Sequence, residues 1–257
     1  MGGKQSFPIV KLDREKIVIV TGGNTGIGYE TAKWIAMMGA TVIIACRSEE
    51  RAKAAIEKMN EDFKKEKEKR KDLIEDETLA VEFMKVDMAS LKSVMAFINE
   101  FKESGRKLHS LVCNAGIGWV PQYKLPLTNY LSHFLIIAHL LPIMMKSGED
   151  CRIVSVSSSG HTYSCDFDLE NIQGKKYTPE TFDRFLYYRR SKLYQVMHMF
   201  SLNRRIKNSN VTVNSLHPGF VQSEFTRAFE DQGRYMFLWK FGKSFGKLID
   251  MSCVSLR

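Results

Sequence analysis

The stretch 184–195, RFLYYRRSKLYQ, contains a tyrosine and a lysine at a spacing that could serve chemistry. Tyr188 and Lys192 are four residues apart, so on a helix their side chains share a face, one turn from each other. The same spacing is common on helices where a tyrosine only packs against a lysine stem. Whether Tyr188 does chemistry therefore depends on what the rest of the chain brings beside it.

A glycine-rich turn near the N-terminus has the composition of a phosphate-binding site. The segment 21–28, TGGNTGIG, has the pattern T-G-x-x-x-G-x-G and directly follows the apolar run 16–20. Glycines let the backbone turn tightly and approach a pyrophosphate, while the following helix presents free N–H groups to the anion. A strand, a glycine turn and a helix in this order predict a nucleotide site. The cofactor-binding residues predicted in this turn are Thr21, Gly22, Asn24, Thr25, Gly26, Ile27 and Gly28.

The end of the second predicted strand indicates which dinucleotide is bound. Sites for NAD usually have an aspartate or glutamate there, which holds the ribose hydroxyls. This chain has Cys46 followed by Arg47. With no carboxylate to repel a 2′-phosphate and an arginine to pair with it, the sequence favours NADP(H). The alternative is that Arg47 is an ordinary surface arginine.

The order of apolar and amphipathic segments predicts an α/β fold with a doubly wound parallel sheet of the Rossmann type. Strands are predicted at 16–20, 41–46, 80–87, 109–116, 152–158 and 211–219, and helices at 29–39, 49–72, 90–104, 128–146 and 183–207. No internal repeat or interdomain linker is visible, so we expect a single domain over 1–257. Within it, 1–13 is predicted to be a leader, 220–246 a substrate loop and 247–257 a short tail.

The composition is that of an ordinary globular chain and excludes several classes of protein. Of the 257 residues 44% are hydrophobic, and the net charge of +9 comes from basic residues interleaved with acidic ones, without a nucleic-acid-binding motif. The five cysteines are odd in number and form no C-x-x-C pair, which favours a reducing, cytoplasmic location and argues against a metal site. The start of the chain lacks the apolar region of a signal peptide, and the apolar stretch 134–145 is too short to span a bilayer.

Several motifs occur in one order along the chain and together resemble the short-chain dehydrogenase/reductase superfamily. They are the turn 21–28, NAG at 114–116, VSVSS at 154–158, Tyr188-x-x-x-Lys192 and HPG at 217–219. The branch with the most similar short segments is the retinol-dehydrogenase-like one, which includes dehydrogenase/reductase members related to the X-linked type. These segments are ACRS, VCNAG, NYLSHF, SSSGH and RSKL. The similarity runs from about residue 14 to about residue 246.

The resemblance implies a catalytic tetrad of Tyr188, Lys192, Ser158 and Asn129. Tyr188 would be the general acid/base for a substrate oxygen, and Lys192 would supply a positive charge that lowers a tyrosine pKa from its usual value near ~10. Tyr188 and Lys192 are also implied to be cofactor-binding residues, with Lys192 holding the nicotinamide ribose. Ser158 would hydrogen-bond the substrate oxygen, and Asn129 would orient a water in the proton relay. The other two tyrosines of the stretch 184–195 are then expected to be packing residues.

The resemblance also implies further cofactor contacts and an activity. Asp87 would contact the adenine and Asn114 would line the cofactor groove, while Pro218, Gly219 and Ser223 would close over the nicotinamide. The implied reaction is hydride transfer between NADP(H) and a carbonyl or alcohol group of a lipophilic substrate, of retinoid, steroid or polyprenoid type. The aromatic-rich segment 220–241 is apolar enough to cover such a substrate. The alternative is a nonenzymatic NADP(H)-binding or regulatory relative.

Two departures from the family pattern set further expectations. The segment between NAG and NYLSHF is shorter than in the family, and the chain ends without the family's last helix and seventh strand. We therefore expect a sheet of about six strands whose last strand is an open edge. A homodimer, if one forms, is expected to use the helices at 128–146 and 183–207.

The first six residues, MGGKQS, fit the acceptor pattern for N-myristoylation of Gly2. A single myristoyl chain binds membranes only marginally, so this modification predicts a peripheral membrane contact rather than stable anchoring. The alternative is a flexible leader without a lipid.

Overall fold

Short runs of apolar and β-branched residues form the strands, as the sequence predicts. In the computed structural model the described residues are 9–118, 127–163, 170, 171, 176, 178, 181–219, 221 and 252–255, of which 127, 184 and 252–255 are described by their backbone alone. The strands are β1 (Ile17–Thr21), β2 (Thr41–Cys46), β3 (Val81–Lys85), β4 (Ser110–Cys113), β5 (Cys151–Val156), β6 (Val211–His217) and β7 (Ser252–Ser255).

The strands form one sheet in the order β3-β2-β1-β4-β5-β6-β7, in which β1 to β6 are parallel. β1 pairs with β2 on one side and with β4 on the other, so the direction in which the chain adds strands reverses between β1 and β4. Ligands of such sheets bind outside the carboxyl ends of the strands at this reversal. The predicted doubly wound parallel sheet of the Rossmann type is confirmed.

The strand β7 corrects the expectation that the last parallel strand is an open edge. It pairs with β6 in antiparallel register, from His217↔Ser252 to Asn214↔Ser255. The backbone of β6 therefore has a partner strand at these positions, which an exposed edge lacks. The run SCVS does not predict a strand, because it has neither the length nor the alternation that marks one.

Helices cover both faces of the sheet in the part of the chain that the structure describes. They are α1 (Gly26–Met37), α2 (Glu49–Lys67), α3 (Leu91–Glu103), α4 (Ser132–Met144) and α5 (Arg184–Arg205). Phe97 of α3, Ile136 of α4 and Met199 of α5 belong to the core on one face of the sheet. Ala36 of α1 and Phe63 of α2 belong to the core on the other. Because both faces of the sheet are covered, the central strands β1 and β2 are buried at every position.

The helix predicted at 128–146 begins as a π-helical turn, Leu127–Leu131, and continues as α4. Turns of this kind are rare and are frequent at functional sites. This one contains Asn129, which is fully buried.

The predicted leader packs on the domain over the residues described there. Ile9 and Leu12 contact the core on the α1 and α2 side, and the Leu12 N–H donates a 2.7 Å hydrogen bond to the Met38 carbonyl. Gly2, the predicted myristoylation site, lies outside the described residues, as does nearly all of the loop 220–246. Within the described ranges, no helix combines the length and apolar character needed to cross a membrane.

Candidate active site

A cleft of about 530 Å³ lies at the carboxyl ends of the strands, where the strand order reverses. Its walls come from the segments that follow β1 to β6, as expected for a ligand site in an open parallel sheet. Most of the predicted site residues line this cleft: Gly22, Asn24, Thr25, Gly26, Ile27, Arg47, Asp87, Asn114, Ser158, Tyr188, Lys192, Pro218 and Gly219. Thr21, Gly28 and Asn129 are buried and do not line it, and Ser223 lies outside the described residues.

The turn between β1 and α1 requires glycine at particular positions. Gly22 and Gly26 have φ angles of 65° and 57°, in the left-handed region that side chains disfavour. A Cβ atom at Gly28 would overlap the carbonyl oxygen of Gly22, so α1 reaches this position only without a side chain. Thr25, which precedes α1, makes no side-chain cap, and the first turn of α1 contains no acidic residue. The first N–H groups of α1 are therefore suited to an anion such as a pyrophosphate.

Thr21 joins the ends of β1 and β4 behind the cleft. Its buried hydroxyl accepts hydrogen bonds from the N–H groups of Asn114 and Ala115, at 2.9 and 3.0 Å. The Asn114 side chain donates from Nδ2 to the Thr21 carbonyl at 2.9 Å. Both residues were predicted to bind the cofactor. Asn114 lies at the cleft surface, whereas Thr21 lies behind it and holds Asn114 in place through these hydrogen bonds.

Two arginines line the cleft beside the end of β2. Arg47 is exposed and directly follows Cys46. Arg51, in the first turn of α2, was not predicted, because one arginine on a charged helix carries no local signal. Asp87 lines the same cleft, and its Oδ1 accepts a 3.0 Å hydrogen bond from the Ala89 N–H. The arginines give this part of the cleft the charge and the donors that a phosphate requires.

Ser158, Tyr188 and Lys192 meet on the cleft wall formed by β5 and α5. The hydroxyl of Ser158 hydrogen-bonds to the Tyr188 phenol. Lys192 Nζ lies 5.8 Å from the centre of the Tyr188 ring and donates a 2.8 Å hydrogen bond to the Val156 carbonyl. Ser157 has a different partner, since its hydroxyl donates to the Lys192 carbonyl at 2.9 Å. The structure therefore brings together three of the four residues of the implied tetrad.

Burial shifts the pKa values of Tyr188 and Lys192 in opposite directions, because it disfavours the charged form of each. Desolvation raises the pKa of Tyr188 above its ordinary value, and the hydrogen bond from Ser158 opposes this rise. Desolvation also lowers the pKa of Lys192 to about 8. The sequence led us to expect Lys192 to lower the pKa of Tyr188, but in the protein alone it is Ser158 that acts in this direction.

Asn129 is fully buried, and its side-chain amide is bonded to the protein at both ends. Oδ1 accepts from the Ile117 N–H and Nδ2 donates to the Ile117 carbonyl, both at 2.9 Å. Nδ2 also donates to Ser191 Oγ at 3.1 Å, and the Ser191 hydroxyl donates to the Tyr188 carbonyl at 2.7 Å. Asn129 therefore joins the segment after β4 to α5, despite the short segment that precedes it. Its expected role in orienting a water stays a prediction.

The two other tyrosines in the first half of α5 are buried. Tyr187 is 2% exposed, its ring stacks on Phe182 with centroids 4.5 Å apart, and its hydroxyl donates to the Asn171 carbonyl at 3.1 Å. Tyr194 is 5% exposed and its ring lies 5.5 Å from that of Tyr130. Neither lines the cleft, which agrees with the prediction that both are packing residues.

The cleft has polar atoms that suit an elongated, phosphorylated ligand such as a nicotinamide dinucleotide. Thr128 and His217 line it, and Thr128 Oγ1 and His217 Nδ1 are buried without a hydrogen-bond partner among the described residues. Such atoms are uncommon in folded proteins and point to a polar ligand or a water. Together with the glycine turn and the two arginines, they fit this cofactor. No cluster of three or more metal-ligating side chains occurs among the residues that the structure describes.

Comparisons with known proteins agree with this geometry. A profile of the family described as short chain dehydrogenase matches residues 16–166, more than half of the chain. The WW domain-containing oxidoreductase of Gallus gallus is 37% identical over 219 residues, covering 79% of this chain and 48% of that protein. Retinol dehydrogenase 11 of Homo sapiens is 36% identical over 219 residues, covering 82% of this chain and 63% of that protein. The chain thus spans between about half and under two-thirds of the length of these relatives.

A solved structure gives the same assignment. The short-chain dehydrogenase/reductase of unknown function from Caenorhabditis elegans, solved with cofactor, is 25% identical and superposes with a TM-score of 0.63, covering 88% of this chain and 77% of that one. The profile, the relatives and the sheet order are mutually consistent. The chain therefore belongs to the short-chain dehydrogenase family.

Proposed function

We propose that this protein is an oxidoreductase that transfers a hydride between NADP(H) and a carbonyl or alcohol group of a lipophilic substrate. The observation that carries the proposal is the hydrogen bond between Ser158 and Tyr188, beside Lys192, on the wall of a cleft that also contains the glycine turn. Membership of a dehydrogenase family supports the reaction class.

The cofactor would supply or accept the hydride when bound, and the residues of this chain would hold it. The N–H groups at the start of α1 would bind the pyrophosphate, because they are uncapped and face the glycine turn. Arg47 would pair with a 2′-phosphate, Asp87 would contact the adenine, and Asn114 would line the cofactor groove. Pro218 and Gly219, which line the cleft after β6, would contact the nicotinamide half.

Tyr188 would exchange a proton with the substrate oxygen, with Ser158 as the second hydrogen-bonding group for that oxygen. A tyrosine with a raised pKa is protonated at neutral pH, which suits a general acid that donates to a carbonyl oxygen. Alcohol oxidation needs the deprotonated form, whose fraction grows as pH rises. We therefore expect carbonyl reduction to be favoured at neutral pH and alcohol oxidation to accelerate in alkaline solution.

The substrate class is supported by the name of a relative, retinol dehydrogenase 11, and by the aromatic residues of 220–241. Retinoids, steroids and polyprenoids share an extended apolar body and one oxygen function. A cleft in which a few polar groups act on that oxygen suits such molecules.

The test is NADPH oxidation by the purified protein with a retinal, a ketosteroid and a polyprenal, compared with the variants Tyr188→Phe and Tyr187→Phe. Loss of the phenol at Tyr188 should reduce turnover by at least ~100-fold and leave NADPH affinity unchanged, since general acid–base catalysis is worth about that much. Tyr187→Phe removes the phenolic hydroxyl from the adjacent buried tyrosine, and this variant should be as active as the parent protein. Full activity in Tyr188→Phe would refute the role of Tyr188.

The same measurements separate an enzyme from the alternative, a nonenzymatic NADP(H)-binding or regulatory protein. The enzyme is expected to bind NADPH and to turn over at least one member of the panel. Tight NADPH binding without turnover of any member would favour the regulatory alternative.

A further inference from the structure

A chain of buried hydrogen bonds runs from Thr21 to Asn129 through His133, a residue of α4. His133 is 2% exposed and does not line the cleft. Its Nε2 lies 2.9 Å from Thr21 Oγ1, and its Nδ1 lies 3.2 Å from the Asn129 carbonyl oxygen. The His133 imidazole therefore contacts both Thr21, which holds the end of β4, and Asn129, which lies at the centre of the π-helical turn.

The donors and acceptors of this chain can be assigned from their chemistry. A carbonyl oxygen only accepts, so His133 Nδ1 must carry the proton that is donated to Asn129. Burial lowers the pKa of His133 to about 4, so the ring is neutral at pH ~7 and Nε2 is an acceptor. The Thr21 hydroxyl must then donate to Nε2 rather than to the Val112 carbonyl, which is farther away at 3.3 Å.

Thr21 and Asn129 hold opposite ends of one wall of the cleft, residues 114–117, all of which line it. At one end the Thr21 hydroxyl accepts from the N–H groups of Asn114 and Ala115. At the other end the Asn129 amide pairs with both backbone groups of Ile117. His133 is hydrogen-bonded to both of these anchors.

The wall 114–117 lies beside the proton-transfer residues. A Cβ atom at Gly116 would lie 3.5 Å from Asn129 Oδ1 and 3.7 Å from Lys192 Nζ. Asn129 is also bonded to α5 by a buried glutamine, since Gln195 Nε2 donates to the Asn129 carbonyl at 2.8 Å. A shift of Asn129 would therefore move the wall relative to Lys192, whereas Arg47 follows a different strand and would be unaffected.

We propose that His133 is a positioning residue, which joins Thr21 to Asn129 and thereby fixes the wall 114–117 against Lys192. It acts through these residues and touches neither substrate nor cofactor. The kinetic consequences of this inference rest on the proposed function, whereas its hydrogen-bond assignment does not.

The test compares His133→Leu, which removes both hydrogen bonds, with His133→Asn, which keeps a donor at the position of Nδ1. His139→Leu is the matched control, because His139 lies on the same helix, away from the cleft, beside Lys102. In His133→Leu we expect kcat to fall about 10-fold or more at saturating cofactor, since two buried partners lose their bonds. His133→Asn should recover part of this loss, and His139→Leu should show none.

Cofactor fragments distinguish positioning from a general loss of structure. His133→Leu should bind NADPH more weakly but bind 2′,5′-ADP, which lacks the nicotinamide half, as tightly as the parent protein does. Equal weakening of both ligands, or unchanged kcat with unchanged NADPH affinity, would overturn the inference. If the parent protein binds NADPH but turns over no substrate, the proposed function fails. The affinities of His133→Leu for NADPH and for 2′,5′-ADP, each compared with those of the parent protein, still decide the role of His133.

A spectroscopic measurement needs neither cofactor nor substrate. Nitrogen-15 NMR of the parent protein should show His133 as the neutral Nδ1–H tautomer at neutral pH, whereas an exposed histidine usually shows a mixture of forms. The Nε2–H tautomer or the imidazolium at this position would contradict the hydrogen-bond chain and with it the inference.

Discussion

Lys192 donates a 2.8 Å hydrogen bond from Nζ to the main-chain carbonyl of Val156, the last residue of β5. The side chain is buried, and desolvation lowers its pKa to about 8 from an ordinary value of 10.5. One carbonyl partner does not replace the hydration of an ammonium group. We therefore expect the buried charge of Lys192 to reduce the stability of the folded protein at neutral pH.

The first prediction concerns Lys192→Met, which should abolish turnover without lowering the melting temperature at neutral pH. Both folded and unfolded states are protonated below the folded pKa, so the penalty for burying the charge, about 3 kcal/mol, is fully present there. Between the two pKa values the unfolded state binds more protons, so the free energy of unfolding of the parent protein rises with pH. The methionine removes this dependence but leaves the Val156 carbonyl without its donor.

Thermal melting of both proteins at about pH 7 and about pH 10 checks this prediction. The stability advantage of Lys192→Met over the parent should shrink or reverse at the higher pH. A variant that is strongly destabilised at neutral pH, with no change in the difference at alkaline pH, would show that Lys192 stabilises the fold.

The second prediction compares two glycine-to-alanine substitutions of equal chemistry. Gly28→Ala should weaken NADPH binding and lower the melting temperature, because its Cβ atom would overlap the Gly22 carbonyl oxygen and force α1 away from β1. Gly148→Ala introduces the same methyl group where the nearest atom, His109 Cδ2, is 3.6 Å away, an ordinary contact. Calorimetry for NADPH affinity and thermal melting should separate the two variants. Equal behaviour would mean that the turn relaxes around a side chain at Gly28.

Much of the sheet and one half of the site could be predicted from local patterns. Apolar runs predict most of the strands, and the glycines between a strand and a helix predict the phosphate-binding turn 21–28. Arg47 is predicted as a cofactor contact because it directly follows the second strand. These features depend on residues close together in the chain. The spacing of Tyr188 and Lys192 is equally local, and it gained its meaning from the order of the other motifs.

The remaining features depend on pairs that are far apart in sequence, which no local pattern reports. Thr21 and His133 are separated by 112 positions, yet their side chains share a hydrogen bond. The pairing of β7 with β6 is likewise set by the sheet edge rather than by the composition of SCVS. The raised pKa of Tyr188 is likewise not visible in any local pattern, because burial is a property of the packed protein.

The last prediction concerns cofactor selectivity and Arg47. Arg47 is exposed at the cleft, so a 2′-phosphate placed beside it gains a charge-assisted hydrogen bond, and NADPH should bind ~10-fold or more tightly than NADH. Arg47→Asp replaces the attraction with repulsion and gives the ribose hydroxyls of NADH a carboxylate partner, so the order of affinities should reverse.

A charge-matched control separates the local contact from the overall field of the protein. Arg205→Asp changes the net charge by the same amount at the exposed end of α5, away from the cleft, and should leave the preference for NADPH intact. The preference of the parent protein should also weaken as salt is added, because exposed charges are screened. Equal affinities of the parent protein for NADPH and NADH, measured by titration, would rule out a 2′-phosphate site at Arg47.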